Sequence, residues 1–312
     1  MFTVMTWNVE NLFAPQPADR TAYEAKVREL ADVVRTAAPD LLAVQEVGDV
    51  QSFEALRTAL GDPWTGALAT HVEASHPIRV GWLSTGDLTA VEEVVDLPAA
   101  LAPVKVADDG TTMTQLGRGA LAVTVTTTAG VQVRALTAHL KSKLLSFPGG
   151  RFDTRDETER SRYAVYALNR RAAEAAALRD WATTALAGPW AAQPILVCGD
   201  LNDTPEAATT QLIFGPPGSQ IGTAGFDHPD RGDAQRLWNV GYAMTPPDDY
   251  SRINQGRREL IDHILVSHAM IGRLAEATTV PLDIPSIGVR PQVAPRTGPP
   301  SDHRPVLARF DL

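Results

Sequence analysis

The sequence is poor in several things. One cysteine, Cys198, stands among 312 residues, which excludes an internal disulfide and any cysteine-built metal site. It lies in the apolar stretch PILVCGD, the setting of a buried, inert thiol rather than a nucleophile. Only four lysines occur: Lys26, Lys105, Lys141 and Lys143. No apolar run approaches the ~18 residues that span a bilayer. The opening MFTVMTWNVENLF reads directly as a strand and lacks the basic start and long apolar stretch of a signal peptide. The chain is therefore expected in the cytoplasm, or outside the cell if it derives from a processed precursor. There is no internal repeat and no low-complexity tract, and no strand carries the aromatic pattern of an RNA-stacking sheet.

What remains is an ordinary globular balance, 44% hydrophobic and 21% charged, which argues against wholesale disorder. The net charge of −9 argues against a protein that holds long nucleic acid by charge alone. A local basic patch fits that count, and so does a cluster of carboxylates awaiting a cation.

Strand-like runs recur throughout: FTVMTWN, DLLAVQE, IRVGWLST, GALAVTVTT, VQVRALTAH, PILVCGD, LIDHILVS and PVLARFDL. Helical periodicity is confined to residues 20–38, 51–60 and 160–187, with a shorter helix expected from DTPEAATTQL, capped by Thr204 with Pro205 in its first turn. Many strands with few helices imply two packed sheets with helices outside. The Pro- and Gly-rich stretches 215–232 and 280–300 read as long surface loops, because strands continue beyond each. One domain spanning residues 1–312 is expected.

Several strands end in residues that a strand interior would not select: Asn8 and Glu10, Glu46, His139 and Lys141, Asp200 and Asn202. Residues two apart share a face of a strand, so these i, i+2 pairs each aim one way and can meet at one rim. Singly, each has a plain reading: Asn8 as a turn cap, Glu46 as a surface acid, His139 as a satisfied buried histidine, Asp200 and Asn202 as turn residues. Asp262 is harder to dismiss, because it stands among apolar residues in ELIDHILVS and needs a partner there. Asp302 and His303, in SDHRPV, supply candidates. Together these residues form a pattern that chance explains poorly.

In order, TWNVENLF, LLAVQEV, AHLKSK, GDLND, IDHILVS and SDHRPV resemble the motifs of the endonuclease/exonuclease/phosphatase superfamily, whose members include DNase I-like nucleases, abasic-site endonucleases, inositol polyphosphate 5-phosphatases and neutral sphingomyelinases. In style they are most similar to the bacterial extracellular-type nucleases of that family. The resemblance runs from residue 6 to residue 306. It implies an α/β fold, a four-layer α/β/β/α sandwich of two mostly antiparallel sheets with helices outside. It also implies metal-assisted hydrolysis of phosphate esters. Glu46, Asn8, Glu10 and Asp302 then correspond to metal-binding positions, and an oxygen donor set suits Mg²⁺ or Mn²⁺, with Ca²⁺ as a further option. His303, oriented by Asp262, and Asp200 are rival general bases. Asn202 would bind a phosphoryl oxygen or the nucleophile. His139 and Lys141 would stabilise charge in the transition state. Arg118, in LGRGALAV, matches a basic substrate-binding position of the family's nucleases.

Two departures stand out. Gly48 follows QEV where many of these nucleases carry a basic or polar residue. Residues 144–172 are long for a compact member and mix six arginines with acids, which reads as a self-neutralised exposed helix. Three functions compete: a monomeric nuclease acting on DNA or RNA without sequence preference; a phosphatase or phosphodiesterase acting on phosphoinositide, sphingomyelin or a small phosphorylated metabolite; and an inactive binding scaffold.

Overall fold

The structure, a computed structural model, describes residues 1–73, 77–187, 194–223, 225–288 and 299–312. Strands with apolar residues on both faces are buried on both sides, and here they form the middles of two six-stranded sheets. The first contains β1 (Phe2–Leu12), β2 (Leu41–Val47), β3 (Thr65–Leu68), β4 (Arg79–Ser84), β15 (Leu274–Thr279) and β17 (Val306–Phe310), in the order β15-β17-β1-β2-β4-β3. The second contains β5 (Leu88–Asp96), β8 (Gln115–Thr126), β9 (Gln132–His139), β10 (Ile195–Asp200), β11 (Leu237–Asn239) and β14 (Asp262–Ser267), in the order β11-β14-β10-β9-β8-β5. Smaller pairings join β6 (Val104–Lys105) to β7 (Thr112–Met113), and β12 (Arg252–Asn254) to β13 (Arg257–Glu259) and β16 (Ser286–Ile287).

Both large sheets are antiparallel except for one central pair each, β1 with β2 and β9 with β10. Side-chain alternation sorts the core into three clusters. Val4, Leu41, Ala43, Val123, Ala135, Cys198 and Ile264 face the other sheet. Met5, Trp7, Leu42 and Val44 face outward against Leu30 and Val34 of α1 (Arg20–Ala37) and Phe53 and Leu56 of α2 (Val50–Leu60). On the other side Ala120, Leu136 and Val197 meet Leu178 and Ala182 of α3 (Glu157–Leu186) and Ile213 of α4 (Ala208–Phe214). A last short helix, α5 (His268–Ile271), follows β14. The layers are α/β/β/α, as the motifs imply. Cys198 is fully buried and burial pushes its thiol up to about 12, so it is inert.

Two local expectations are corrected. Thr204 does not cap α4: the chain first makes a turn in which the Ala207 N–H meets the Thr204 carbonyl, and the helix starts at Ala208 without a side-chain cap. Residues 215–232 are mostly loop, but end in a short 3₁₀ turn at Arg231–Ala234 held by an Asp230 capping box. Of the loop expected over 280–300, residues 289–298 lie outside the described residues.

Candidate active site

Adjacent parallel strands end at the same rim. The two central pairs therefore bring the carboxyl ends of β1, β2, β9 and β10 together at one end of the sandwich. In the second sheet Asp200 is paired in register with His139 on one side and Asp262 on the other. All three continue the inward face that carries Ala135, Cys198 and Ile264 below them. Gly199 makes the close approach possible: a Cβ there would lie 1.9 Å from the Ala138 carbonyl oxygen, and its φ is +136°.

The first sheet supplies the opposite wall. Asn8 follows Val4 on the inward face, and its amide nitrogen lies 3.0 Å from both Glu46 Oε1 and Asp200 Oδ2. Alternation alone would turn Glu46 outward with Leu42 and Val44. Instead the β2–β4 register shifts between Val44 and Val47, and Glu46 adopts φ +65°. The bulge re-aims the carboxylate into the site. The β1–β2 register shifts after Asn8 too, and Glu10 and Asn11 take φ +50° and +49°. Asn202, after β10, sits at +56°. Of the seven described non-glycine residues with positive φ, these four cluster here. Glu10 and Glu46 each cost roughly 1 kcal/mol or more there, the two asparagines less, so the rim holds backbone strain that packing has to maintain. Below it, Gln45 Nε2 reaches Thr6 and Thr137 at 3.1 Å each, a buried polar floor joining the sheets.

His303 crosses between the sheets. It precedes β17 of the first sheet, yet its Nδ1 donates to Asp262 Oδ2 of the second at 2.7 Å. Its main chain is held on both sides. The N–H meets Ser301 Oγ at 3.0 Å, Ser301 Oγ donates to the Asn8 carbonyl at 2.6 Å, and the His303 carbonyl accepts Trp7 Nε1 at 2.9 Å. Burial opposes charge on His303, but Asp262, Asp200 and Asp302 outweigh it and push the imidazole up to about 10. Burial raises Asp262 too, against the pull of His303; the imidazole, by far the stronger base, keeps the shared proton. Asp200 is held well below the usual carboxylate range: burial is outweighed by His139, His303 and the Asn8 amide. Its Oδ2 lies 3.3 Å from His139 Nε2, and its Oδ1 accepts the Asn202 N–H at 2.9 Å. Glu46 is also held low, with burial outweighed by His139 and by hydrogen bonds from Asn8 and Asn11.

Arg118 is half-buried, donates to the Leu140 carbonyl at 2.7 Å and feels the charges of Glu46 and Asp200. Asn202 Nδ2 takes the same carbonyl at 3.0 Å. Lys141 departs from the i, i+2 expectation. β9 ends at His139, and the Lys141 ammonium turns onto the Ser142 and Leu144 carbonyls at 3.1 and 2.6 Å. Burial, with Arg118 and Arg170 nearby, pushes it down to about 8. Lys143 pairs with Asp203 at 2.8 Å. The exposed, self-neutralised helix holds only for the start of α3, where Arg160 pairs with Glu157 and Arg162 with Asp108. Further along, Arg171 and Glu174 are buried and clamp the Lys141 peptide: Glu174 Oε2 accepts its N–H at 2.6 Å and Arg171 donates to its carbonyl at 3.0 Å. Gly48 has a packing reason, since a Cβ there would lie 2.1 Å from the Phe13 ring.

The site suits a hard cation. Glu10, Glu46, Asp200, Asp262 and Asp302 crowd one rim, where Glu10 Oε2 accepts the Asp302 N–H at 3.0 Å. Ligand atoms of Asp200, Asp262 and His303 lie within 4.8 Å of one another. Asp262 Oδ1 is buried without a hydrogen-bond partner, as is His139 Nδ1, and such groups are costly unless something completes them. The structure thus gathers Asn8, Glu10, Glu46, His139, Asp200, Asn202, Asp262, Asp302 and His303, with Arg118 beside them. It does not bring the Lys141 ammonium into contact with them. Thr6, Trp7, Gln45, Thr137 and Ser301 carry no such strand-end signal in the sequence. The polar Gln45 and Thr137 inside apolar strands are the signal that was available.

The Endonuclease/Exonuclease/phosphatase family profile matches residues 5–303. Among curated protein sequences, none matches this chain at a significant level. Among solved structures the chain is similar to a mannosyl-6-phosphatase from Bacteroides thetaiotaomicron VPI-5482 (13% identity, TM-score 0.59, all of both chains covered). It is similar as well to a 3'-5' exonuclease from Neisseria meningitidis (18%, 0.56, all of both chains) and to an AP endonuclease from Archaeoglobus fulgidus (13%, 0.55, all of both chains). At such identities these neighbours speak for the fold, and the profile, spanning nearly every residue described above, settles the rest: the chain belongs to the endonuclease/exonuclease/phosphatase family.

Proposed function

We propose that this protein is a divalent-metal-dependent phosphodiesterase that cleaves DNA or RNA without sequence preference, as a monomer and a single domain over residues 1–312. The observation that carries the reading is the row His139–Asp200–Asp262 on one sheet, faced by Asn8 and Glu46 on the other and bridged by His303. Neither an inert scaffold nor a packing role accounts for that much strained, charged and incompletely satisfied structure at one rim.

Glu46 and Asn8, with Glu10 and Asp302 beside them, would hold Mg²⁺ or Mn²⁺, with Ca²⁺ as the third option. Such an ion, when bound, draws in phosphoryl oxygens and offsets their charge. The remaining chemistry belongs to the chain. Asp262 takes Nδ1 of His303, so Nε2 is the working nitrogen. Cationic at neutral pH, that imidazole steadies the charge that grows on the phosphoryl group. Asp200, an ionised carboxylate beside it, takes the proton of the attacking water. Asn202 has its amide nitrogen committed to Leu140, so its oxygen is the atom offered to that water. Arg118 adds positive charge from β8, and His139 on β9 steadies the transition state beside it.

Nucleic acid is favoured by where the cations lie. Arg118, Lys141 and Lys143 flank the site on one side. On the other, exposed Arg257 and Arg258 stand on β13, whose partner β12 is bridged to His303 through Arg252. Cations on two sides suit a run of phosphates better than a single one. The mannosyl-6-phosphatase neighbour keeps a small phosphoester as the second reading. The test is a panel of plasmid, single-stranded DNA, RNA, phosphoinositide, sphingomyelin and bis-p-nitrophenyl phosphate, with Mg²⁺ or Mn²⁺ and after EDTA. Metal-dependent cleavage of nucleic acid, lost in Glu46→Ala, is expected. Full activity after exhaustive chelation overturns the metal requirement. Turnover of a small phosphoester with no nucleic acid cut overturns the nuclease reading.

A further inference from the structure

The His303–Asp262 hydrogen bond joins residues that belong to different sheets, so neither sheet's ladder fixes its length. One residue outside both sheets hydrogen-bonds the main chain of Asp262 and that of Arg304, the neighbour of His303. Ser251 is fully buried just before β12. Its Oγ accepts the N–H groups of Ile261 at 3.0 Å and of Asp262 at 3.1 Å. Its carbonyl accepts the N–H of Arg304, the residue after His303, at 2.7 Å, and its own N–H meets the Glu259 carbonyl at 3.0 Å. Arg252, next in the chain, makes the β-bridge to His303.

We propose that Ser251 is a positioning residue for the reaction: it sets the separation and angle of Asp262 and His303 by holding Asp262 through its side chain and the His303 segment through its main chain. The inference rests on the proposed catalytic role of that pair. Its physical basis is that a hydrogen bond near 2.7 Å weakens steeply with angle and distance, and that small misplacement of a reacting group is expensive, roughly 10²-fold for about 1 Å. Replacing Ser251 by Ala keeps the main-chain half of the clamp and releases the Asp262 N–H. The β12–β13 hairpin, which carries Arg257 and Arg258, is thereby tied to the pair as well.

The experiment is steady-state kinetics on bis-p-nitrophenyl phosphate with saturating Mg²⁺, for Ser251→Ala, Asp262→Asn, their double variant and His303→Ala, with kcat counted per native molecule by far-UV circular dichroism. Ser251→Ala is expected to lose on the order of 10-fold or more in kcat with KM unchanged. In the double variant its loss is expected to vanish into that of Asp262→Asn, because both act through one hydrogen bond. Wild-type kcat in Ser251→Ala, a loss confined to KM, or losses that multiply in the double variant would each overturn the proposal. Near-normal turnover in His303→Ala would instead refute the role of the pair itself, and the positioning role with it. A crippled His303→Ala beside an intact Ser251→Ala refutes positioning alone.

Discussion

His139 and Asp200 sit opposite each other across the parallel β9–β10 ladder, with His139 Nε2 and Asp200 Oδ2 3.3 Å apart. The residue that permits this carries no side chain. A Cβ at Gly199 would collide with the Ala138 carbonyl oxygen, which is backbone and cannot step aside.

Gly199→Ala is therefore expected to lower stability by about 1–3 kcal/mol or more, through overpacking and a φ that L residues rarely adopt. It should also lower kcat in the fraction that remains folded, since β9 and β10 must separate at the site. Thermal unfolding and single-substrate kinetics check both. An alanine variant with unchanged Tm and kcat would show that the ladder tolerates the clash.

His303→Ala is expected to lose on the order of 10³-fold in kcat while the fold survives, because a preorganised group that stabilises charge at the reacting phosphate is worth about 10²–10³. Asp262→Asn should lose less, since it acts through the imidazole. Turnover with a metal-loaded small diester measures both, and an Asp262→Asn loss exceeding that of His303→Ala contradicts the assignment.

Lys141→Ala and Lys143→Ala distinguish gripping the backbone from stabilising the transition state. Both ammonium groups are engaged by the protein, with loop carbonyls and Asp203 respectively. The larger loss is therefore expected on plasmid DNA, with bis-p-nitrophenyl phosphate little affected. The salt slope of DNA cleavage should become shallower by up to about 0.9 per lysine that contacts phosphate. An equal loss on both substrates would place Lys141 at the reacting phosphate.

His263 gives a pH signature of stability. Its Nε2–H donates to the Asp203 carbonyl at 2.8 Å, and its Nδ1 receives the Asn239 amide at 3.1 Å, so the buried ring is built to be neutral. Burial lowers it from 6.5 to about 4. The unfolded chain takes up its proton first as pH falls. The contribution is therefore complete above about 6.5 and is lost progressively down to about 4, by roughly 3 kcal/mol. Denaturant unfolding across that range should fall less steeply in His263→Gln than in the parent. Identical slopes would assign the acid lability to other groups.

The strands that were legible in the sequence are those with two buried faces, which read as unbroken apolar runs. Within the two large sheets, the ones that were not, β3, β5, β11 and β15, are the four edges. β5 and β15 are largely exposed or half-buried, so LTAVEEVVD and LAEATT offer no such run. Strand-end polarity revealed most of the site, because a polar residue closing an apolar strand is costly unless used. It could not reveal how Glu46 is aimed, since a bulge reverses its alternation. Nor could it reveal Ser251 or Ser301, whose importance lies in contacts made across 11 and 293 residues of sequence. Lys141 leaves the rim for the opposite reason: β9 stops at His139, and strand alternation does not reach past that point.

The stitching of His303 to β1 also bears on when the protein becomes active during its own synthesis. Trp7 grips the carbonyl of His303 across 296 residues, and Phe2 pairs with Phe310 in the ladder beside it. Contacts of such long sequence separation form only after the loop entropy of the whole chain has been overcome. A nascent or partly unfolded chain can hold helices and much of the second sheet without owning a hydrolytic centre. Catalysis is then a late reporter of global folding, absent from the half-made protein.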